Sequence, residues 1–118
     1  MEAKMFETRI DIPKDNRSKL VDLLNSRLAD VTDLYTQAKQ AHWNVKGVNF
    51  IALHELFDKV HEAAEAASDE LAERATALGG TAEGTVQVVA KRTRVAEYPT
   101  SLVKWRDHVA KLSDAIAA

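Results

Sequence analysis

A single apolar stripe runs through residues 24–45, and neither a glycine nor a proline interrupts it. Its members recur at alternating steps of four and three residues, which is the period of one helix face. They are Leu24, Leu28, Val31, Tyr35, Ala38, His42 and Val45. The stripe predicts a long amphipathic helix from about Asn16 to Lys46, with Gly47 as the residue that ends it.

A second stripe of the same period begins after a short link and predicts a second long helix. Asn49 is a suitable N-cap for this helix, and the pair Gly79-Gly80 ends it. The stripe consists of Leu53, Phe57, Val60, Ala64, Ala67, Leu71, Ala75 and Leu78. Because the link is short, the two helices are expected to pack antiparallel as a hairpin.

The remainder of the chain predicts a long connection and a third helix. Residues 85–90 suit a short strand or one helical turn, and the lack of a second strand to pair with favours the helix. Pro99 lies near the start of the third helix, with Thr100 as its N-cap, and the apolar spacing still continues at Ala118. Its stripe contains Leu102, Trp105, Val109, Leu112 and Ile116.

Composition narrows the class of protein to one ordinary helical domain. The chain has 118 residues, 46% of them apolar, which is enough to build one packed core. It has no cysteine, which excludes disulfides, thiolate catalysis and Cys-ligated zinc. A formal charge of -2 favours neither nucleic acid nor an anionic membrane as a partner. Because the sequence shows no signal peptide and no membrane-spanning stretch, a cytoplasmic location is expected.

Metal-type ligands lie on the second helix in two pairs, and the members of each pair are one turn apart. His54 and Asp58 form one pair, and Asp69 and Glu73 form the other. At about 100° per residue, the four side chains point roughly 150° away from the apolar stripe, so they do not face the helix's own core. The two pairs also lie roughly 16 Å apart along the helix axis, so one metal ion cannot be held by both.

A second copy of the chain would overcome this separation. If the helix packs antiparallel against its copy across a two-fold axis, the His54/Asp58 pair of one chain meets the Asp69/Glu73 pair of the other. His42, near the end of the first helix, reaches the same place across the hairpin. Each of two identical sites would then hold imidazole and carboxylate ligands, a mixture that suits Fe(II), Mn(II) or Zn(II).

An alternative interpretation needs no metal. Histidines and acidic residues on a helix are usually polar surface groups, and the sequence contains further examples. Glu62 and Glu65 share the ligand face, and His61 and His108 are assigned to this ordinary class. On that interpretation the chain is a structural helical interaction domain whose charged face meets solvent.

Several motifs carry a resemblance to a known family. The first of them resemble the Dps family of mini-ferritins and read Lys39-Gln40-Ala41-His42-Trp43-Asn44-Val45-Lys46-Gly47, Asn49-Phe50 and Leu53-His54-Glu55-Leu56-Phe57-Asp58. The later ones are Asp69, Ala72-Glu73-Arg74, Leu78-Gly79-Gly80, Gly84-Thr85 and Tyr98-Pro99. The similarity covers nearly the whole chain from about residue 17, and the spacing of the ligands is highly specific.

The resemblance implies an all-α, ferritin-like four-helix bundle that forms a single domain. Residues 1–118 would supply helices one and two, a short connecting helix and the start of helix three, without the fourth helix of the family. We therefore expect the chain either to be part of a longer protein or to cover its apolar stripes by oligomerising. Subunits of this family assemble into a hollow twelve-subunit cage.

The resemblance also implies an enzyme, a ferroxidase that oxidises Fe(II) with hydrogen peroxide as the favoured oxidant and stores ferric mineral in the cage. Its di-iron centres lie at two-fold interfaces, and zinc or manganese can occupy them. Carried over by position, the metal ligands and catalytic residues are His42, His54 and Asp58 from one subunit and Asp69 and Glu73 from its partner. Trp43 would lie beside the site, either to intercept radicals or as a packing aromatic.

Compaction of DNA is the alternative function that the resemblance implies. Family members that bind DNA often use a flexible Lys-rich tail, whereas basic and acidic residues alternate at this N-terminus. The basic ones are Lys4, Arg9, Lys14, Arg17 and Lys19, and the acidic ones are Glu2, Glu7, Asp11 and Asp15. A cage of such subunits would be net negative and would attract phosphates weakly at physiological salt.

Overall fold

Four helices form the regular structure within residues 4–118. The computed structural model describes residues 4–118, with α1 at Lys14–Asn44, α2 at Phe50–Ala77, α3 at Val86–Arg92 and α4 at Trp105–Ala117. No strand occurs in this part of the chain, although an isolated parallel bridge joins Lys46 and Lys104. The predicted all-α fold is confirmed, and so is the choice of a helix for residues 85–90. None of the four helices is long and apolar enough to cross a membrane.

α1 and α2 pack antiparallel along most of their length, as the short link predicts. At one end the Arg17 guanidinium donates to the Leu78 carbonyl at 2.8 Å, and at the other end His42 contacts His54. Small side chains allow the helices to approach closely, and the fully buried ones are Ala29, Ala38, Ala41 and Ala75. The larger core cluster also includes residues of the α1–α2 link, α2, the connection and α4, namely Val45, Phe57, Tyr98 and Leu112.

Glycine ends α2 in the way that the sequence predicts. Gly79 has a φ of +90°, in the left-handed region that glycine adopts at little cost. Its N–H donates to the Thr76 carbonyl and that of Gly80 donates to the Ala75 carbonyl, both at 3.0 Å, which is the Schellman pattern. A β-carbon at Gly79 would lie 2.2 Å from the Phe6 carbonyl oxygen, because the N-terminal segment crosses the helix end here.

The link between α1 and α2 differs in detail from the prediction. α1 ends at Asn44 rather than at Lys46, because Val45 is extended and the Lys46 N–H donates to Val103 at 3.2 Å. Gly47 has a φ of +125°, so its conformational freedom serves the turn and not the helix end. Asn49 occupies the N-cap position of α2, but its side chain makes no capping hydrogen bond.

Polar residues on α1 hold the connection that contains α3. The buried Asn25 side chain donates to the Thr81 carbonyl and accepts from the Glu83 N–H, each at 2.9 Å. Further along, Arg94 forms an ion pair of 2.6 Å with Asp30. Because these groups come from successive turns of α1, they keep the connection packed along that helix.

The helix that follows the connection begins later than the sequence predicts. The pattern places its start near residue 100 with Thr100 as N-cap, whereas α4 begins at Trp105. Tertiary contacts explain the difference: Tyr98 is buried in the core, and the Val103 carbonyl accepts a hydrogen bond from the α1–α2 link. These contacts hold residues 98–103 outside the helix, so the predicted start is wrong.

Candidate metal centre

Two histidines meet where the end of α1 faces the start of α2. The rings of His42 and His54 stack with their centroids 3.6 Å apart and their planes 18° from parallel. His42 Nδ1 lies 2.5 Å from the His54 carbonyl oxygen, and His54 Nδ1 lies 2.7 Å from the His42 carbonyl oxygen. A carbonyl oxygen only accepts, so each Nδ1 carries a proton. Nε2 of each ring is then the nitrogen that could donate a lone pair to a metal ion, as in metal-binding histidines.

Asp58 follows His54 by one turn of α2, and a lysine holds its carboxylate. Lys39 Nζ donates to Asp58 Oδ1 at 2.6 Å, and the two side chains are 29% and 35% exposed. The Lys39 hydrogen bond lowers the pKa of Asp58 and outweighs the opposing effect of desolvation. The carboxylate is therefore ionised and suited to a cation, but a metal ion would compete with the ammonium group for Oδ1.

The second pair of candidate ligands lies near the other end of α2. Asp69 and Glu73 are both exposed, and neither joins an ion pair within residues 4–118. They line separate surface grooves, with Asp69 near Tyr35 and Glu73 near Leu24. Because roughly 16 Å of helix separates these carboxylates from the first pair, they cannot join the histidines within one chain.

A single chain therefore presents the candidate ligands as two separate halves. His42, His54 and Asp58 share one end of the helical hairpin, whereas Asp69 and Glu73 lie apart from them. Within residues 4–118, no group of three or more His, Asp or Glu side chains is close enough together to hold a metal ion. A complete site would need ligands from another chain, and the role of these residues as ligands stays a prediction.

Lys39 and His108 have contacts that sequence reasoning does not identify. Lys39 precedes His42 by three residues and so shares its helix face, and this spacing could have indicated a group near the site. Sequence reasoning places His108 with ordinary polar helix residues, yet its side chain is 1% exposed. Its position four residues before Leu112 puts it on the buried face of α4. His61 joins the two long helices, because its Nδ1 donates to the Tyr35 carbonyl at 2.9 Å, while its Nε2 lies 3.1 Å from Glu65.

Relatives of known name match most of the chain. The family model described as a ferritin-like domain matches residues 21–117. A DNA protection during starvation protein from Agrobacterium fabrum is 43% identical over 106 residues, which cover 90% of this chain and 65% of that protein. A protein of the same name from Mycolicibacterium smegmatis is 36% identical over 95 residues, which cover 80% of this chain and 52% of that protein. The chain thus spans less than two thirds of the length of these relatives.

Solved structures of Dps proteins share the fold of the chain. The tetragonal form of Mycobacterium smegmatis Dps gives a TM-score of 0.86 at 30% identity, covering 99% of this chain and 69% of that one. An archaeal Dps homologue from Halobacterium salinarum gives a TM-score of 0.90 at 32% identity, covering 98% of this chain and 64% of that one. A Dps protein from Vibrio cholerae O1 gives a TM-score of 0.88 at 26% identity, covering 99% of this chain and 72% of that one. It is described as a member of a broad superfamily of ferritin-like diiron-carboxylate proteins. From its fold and its relatives, the chain belongs to the Dps mini-ferritins of the ferritin-like family.

Proposed function

We propose that the chain is a subunit of a Dps-type ferroxidase, which oxidises Fe(II) at sites shared between two copies. The observation that carries the proposal is the reciprocal bonding of His42 and His54, which leaves Nε2 of each ring free of these hydrogen bonds, with Asp58 one helical turn beyond His54. Imidazole and carboxylate together suit Fe(II), and also Zn(II) or Mn(II). The description of the Vibrio cholerae relative as a diiron-carboxylate protein supports iron.

A second copy of the chain would complete each site. Packing α2 antiparallel against α2 of the copy brings Asp69 and Glu73 to the His54 end of the neighbouring chain. The same face carries Ile51, whose side chain is 62% exposed in the single chain, and its burial would favour association. A bound cation would in turn offset the negative charge that the carboxylates bring into such an interface.

The residues would divide the work of the reaction. The histidine Nε2 atoms bind the Fe(II) substrate as neutral ligands, and the carboxylates favour the Fe(III) product because it carries more positive charge. Two Fe(II) ions give one electron each to hydrogen peroxide, which takes up two protons and leaves as two water molecules. Because both electrons leave from one site, no hydroxyl radical is released.

Storage of the oxidised iron extends the proposal to the assembled protein. We propose that ferric mineral accumulates inside a cage of twelve such subunits in the cytoplasm. Support comes from the motifs shared with the Dps family and from a fold that follows Dps structures over nearly all of this chain. The cage and its iron stores are properties expected of a whole Dps protein. The relatives have a longer chain than this one.

Anaerobic titration with Fe(II), followed by a pulse of hydrogen peroxide, tests the proposed activity. The wild-type chain should bind Fe(II) to saturation and then develop ferric absorbance rapidly. The variant His54→Ala/Asp58→Ala should lose about 10-fold or more of the initial rate, because both changes remove ligands. Its helix content by circular dichroism should be unchanged, since neither side chain lies in the buried core.

A matched control is available on the same helix. His61 and Glu65 are also a histidine and a carboxylate one turn apart, and they pair with each other at 3.1 Å. The variant His61→Ala/Glu65→Ala should keep the wild-type oxidation rate. Wild-type rates in His54→Ala/Asp58→Ala, with similar helix content in all three proteins, would show that the site is assigned to the wrong residues.

Physical protection of DNA is the second candidate function, and the name of the relatives favours it. The charge of this chain argues for weak binding, because it totals -2. A gel-shift assay with linear DNA at low and at physiological salt separates the two functions. Retardation that persists at physiological salt, together with slow iron oxidation, would favour DNA protection over the ferroxidase.

A further inference from the structure

A tyrosine and a histidine form a buried pair at the junction of the connection and α4. Tyr98 Oη is hydrogen-bonded to His108 Nδ1, and the rings stack with centroids 5.8 Å apart and planes 19° from parallel. Tyr98 is 7% exposed and His108 is 1% exposed. His108 Nε2 is buried without a hydrogen-bond partner among residues 4–118. The phenol and the imidazole are thus held against each other away from solvent.

The electrostatic setting fixes the protonation of both groups. Burial lowers the pKa of His108, against smaller opposing effects of the Leu102 carbonyl and Asp107, and burial raises the pKa of Tyr98 to about 12. At neutral pH the phenol keeps its proton and the imidazole is neutral. The phenol O–H is therefore directed at a base that can take its proton.

An exposed tryptophan shares a surface groove with the tyrosine of this pair. Trp43 is 64% exposed at the end of α1, and it lines the same groove as Tyr98, with a volume of about 600 Å³. An exposed indole is open to diffusing radicals, and indole is easily oxidised by one electron. The groove thus places an accessible oxidisable ring near a phenol that can lose its electron and its proton together.

We propose that Tyr98 and His108 act as a one-electron donor that repairs an oxidised Trp43. A hydroxyl radical takes the indole N–H hydrogen atom from Trp43 and becomes water. Tyr98 then gives an electron to the indolyl radical, which takes a proton from solvent, while the phenolic proton moves to His108 Nδ1. An Fe(II) ion, becoming Fe(III), returns an electron to the tyrosyl radical, and His108 returns the proton.

The source of radicals, Fe(II) with stray hydrogen peroxide, rests on the proposed function, whereas the electron transfer between side chains does not. The transfer can therefore be tested without iron, by pulse radiolysis in azide solution, where azide radicals oxidise exposed tryptophan. In the wild-type chain, tryptophanyl absorbance should decay as tyrosyl absorbance grows. Such a test succeeds or fails independently of ferroxidase activity.

The chain offers a matched control, because it contains only two tyrosines and two tryptophans. Tyr98→Phe should abolish the tyrosyl growth, and Tyr35→Phe should leave it unchanged. In the same way, Trp43→Phe should remove the transfer and Trp105→Phe should preserve it. Growth that persists in Tyr98→Phe, or that never occurs in the wild-type chain, would overturn the proposal.

His108 is a positioning residue and proton acceptor, and its role has a separate readout. His108→Gln keeps a polar group but removes the base, so the transfer should slow several-fold. The wild-type protein in D2O provides a second measurement that needs no variant, because movement of the proton with the electron predicts slower transfer there. An unchanged rate in D2O would show that His108 does not take the proton.

Discussion

Two backbone carbonyls decide which nitrogen of each histidine is available to a metal ion. Each of these oxygens accepts from Nδ1 of the opposite ring, so His42 and His54 orient each other and both keep Nε2 free. This mutual arrangement holds the rings before any metal binds, which lowers the cost of ordering them. The packing of α1 against α2 thus orients two of the candidate ligands, His42 and His54, within a single chain.

Lys39 is expected to weaken metal binding at this candidate half-site. Its ammonium group lies 2.6 Å from Asp58 Oδ1, where a metal ion would otherwise bind. We expect Lys39→Met to bind Zn(II) several-fold more tightly than the wild-type chain, because no cation has to be displaced. Isothermal titration calorimetry with Zn(II), which undergoes no redox change, measures the difference.

The pH dependence of that gain follows from the Asp58 pKa, which Lys39 lowers. Without Lys39 the Asp58 carboxyl takes up its proton at a higher pH, so the advantage of Lys39→Met should shrink as the pH falls through the ordinary carboxyl range. Lys59→Met removes an exposed lysine next to Asp58 in sequence and serves as the control. Equal Zn(II) affinities for the wild-type chain and Lys39→Met would show that the ion pair does not compete with metal.

The α2 helix is held at both ends by contacts with other parts of the chain. Its start is held by the histidine pair, and its end is held by the N-terminal segment, where the Phe6 N–H donates to the Gly79 carbonyl at 2.6 Å. Arg17 on α1 adds a hydrogen bond to the Leu78 carbonyl. Because α2 carries both ligand pairs, fixing its ends fixes the distance between the two halves of the candidate site.

Gly79→Ala should destabilise the chain by about 1–3 kcal/mol, because alanine disfavours its positive φ and the new β-carbon would meet the Phe6 carbonyl oxygen. Urea unfolding followed by circular dichroism measures the change. Gly84→Ala is the matched control: its β-carbon would lie 3.4 Å from Leu28 Cδ2, an ordinary contact, so we expect a change within about 0.5 kcal/mol. Similar losses at both glycines would contradict this account of the helix end.

The helical period of apolar residues predicts a helix well where its buried face packs against one partner helix. The stripes of α1 and α2 face each other, so their residues show the helical period directly in the sequence. The start of α4 is different, because the burial of Tyr98 and the pairing of Val103 with the α1–α2 link come from distant parts of the chain. The burial of His108 follows the period of α4, but its pairing with a tyrosine outside that helix does not show in the sequence.

In the molecule as a whole, the candidate ligands of one chain lie in two groups that are too far apart to form one site within that chain. The spacing along α2 predicts this division, because helix geometry fixes the axial distance between Asp58 and Asp69. The spacing places Lys39 on the face of His42, but the reciprocal histidine bonds and the Lys39–Asp58 contact depend on how closely α1 and α2 pack, which the sequence does not give. The proposed site therefore depends on the claim that the missing ligands come from a second copy.

Complementation between two inactive variants measures that claim most directly. His54→Ala/Asp58→Ala and Asp69→Ala/Glu73→Ala are unfolded together, refolded as a mixture, and given Fe(II) and then hydrogen peroxide. In a mixed pair, one interface site receives all of its native ligands and the other loses both sets. We predict oxidation well above the sum of the two variants refolded separately. If every subunit instead built its own site, the mixture would oxidise iron no faster than that sum, and the shared site would be refuted.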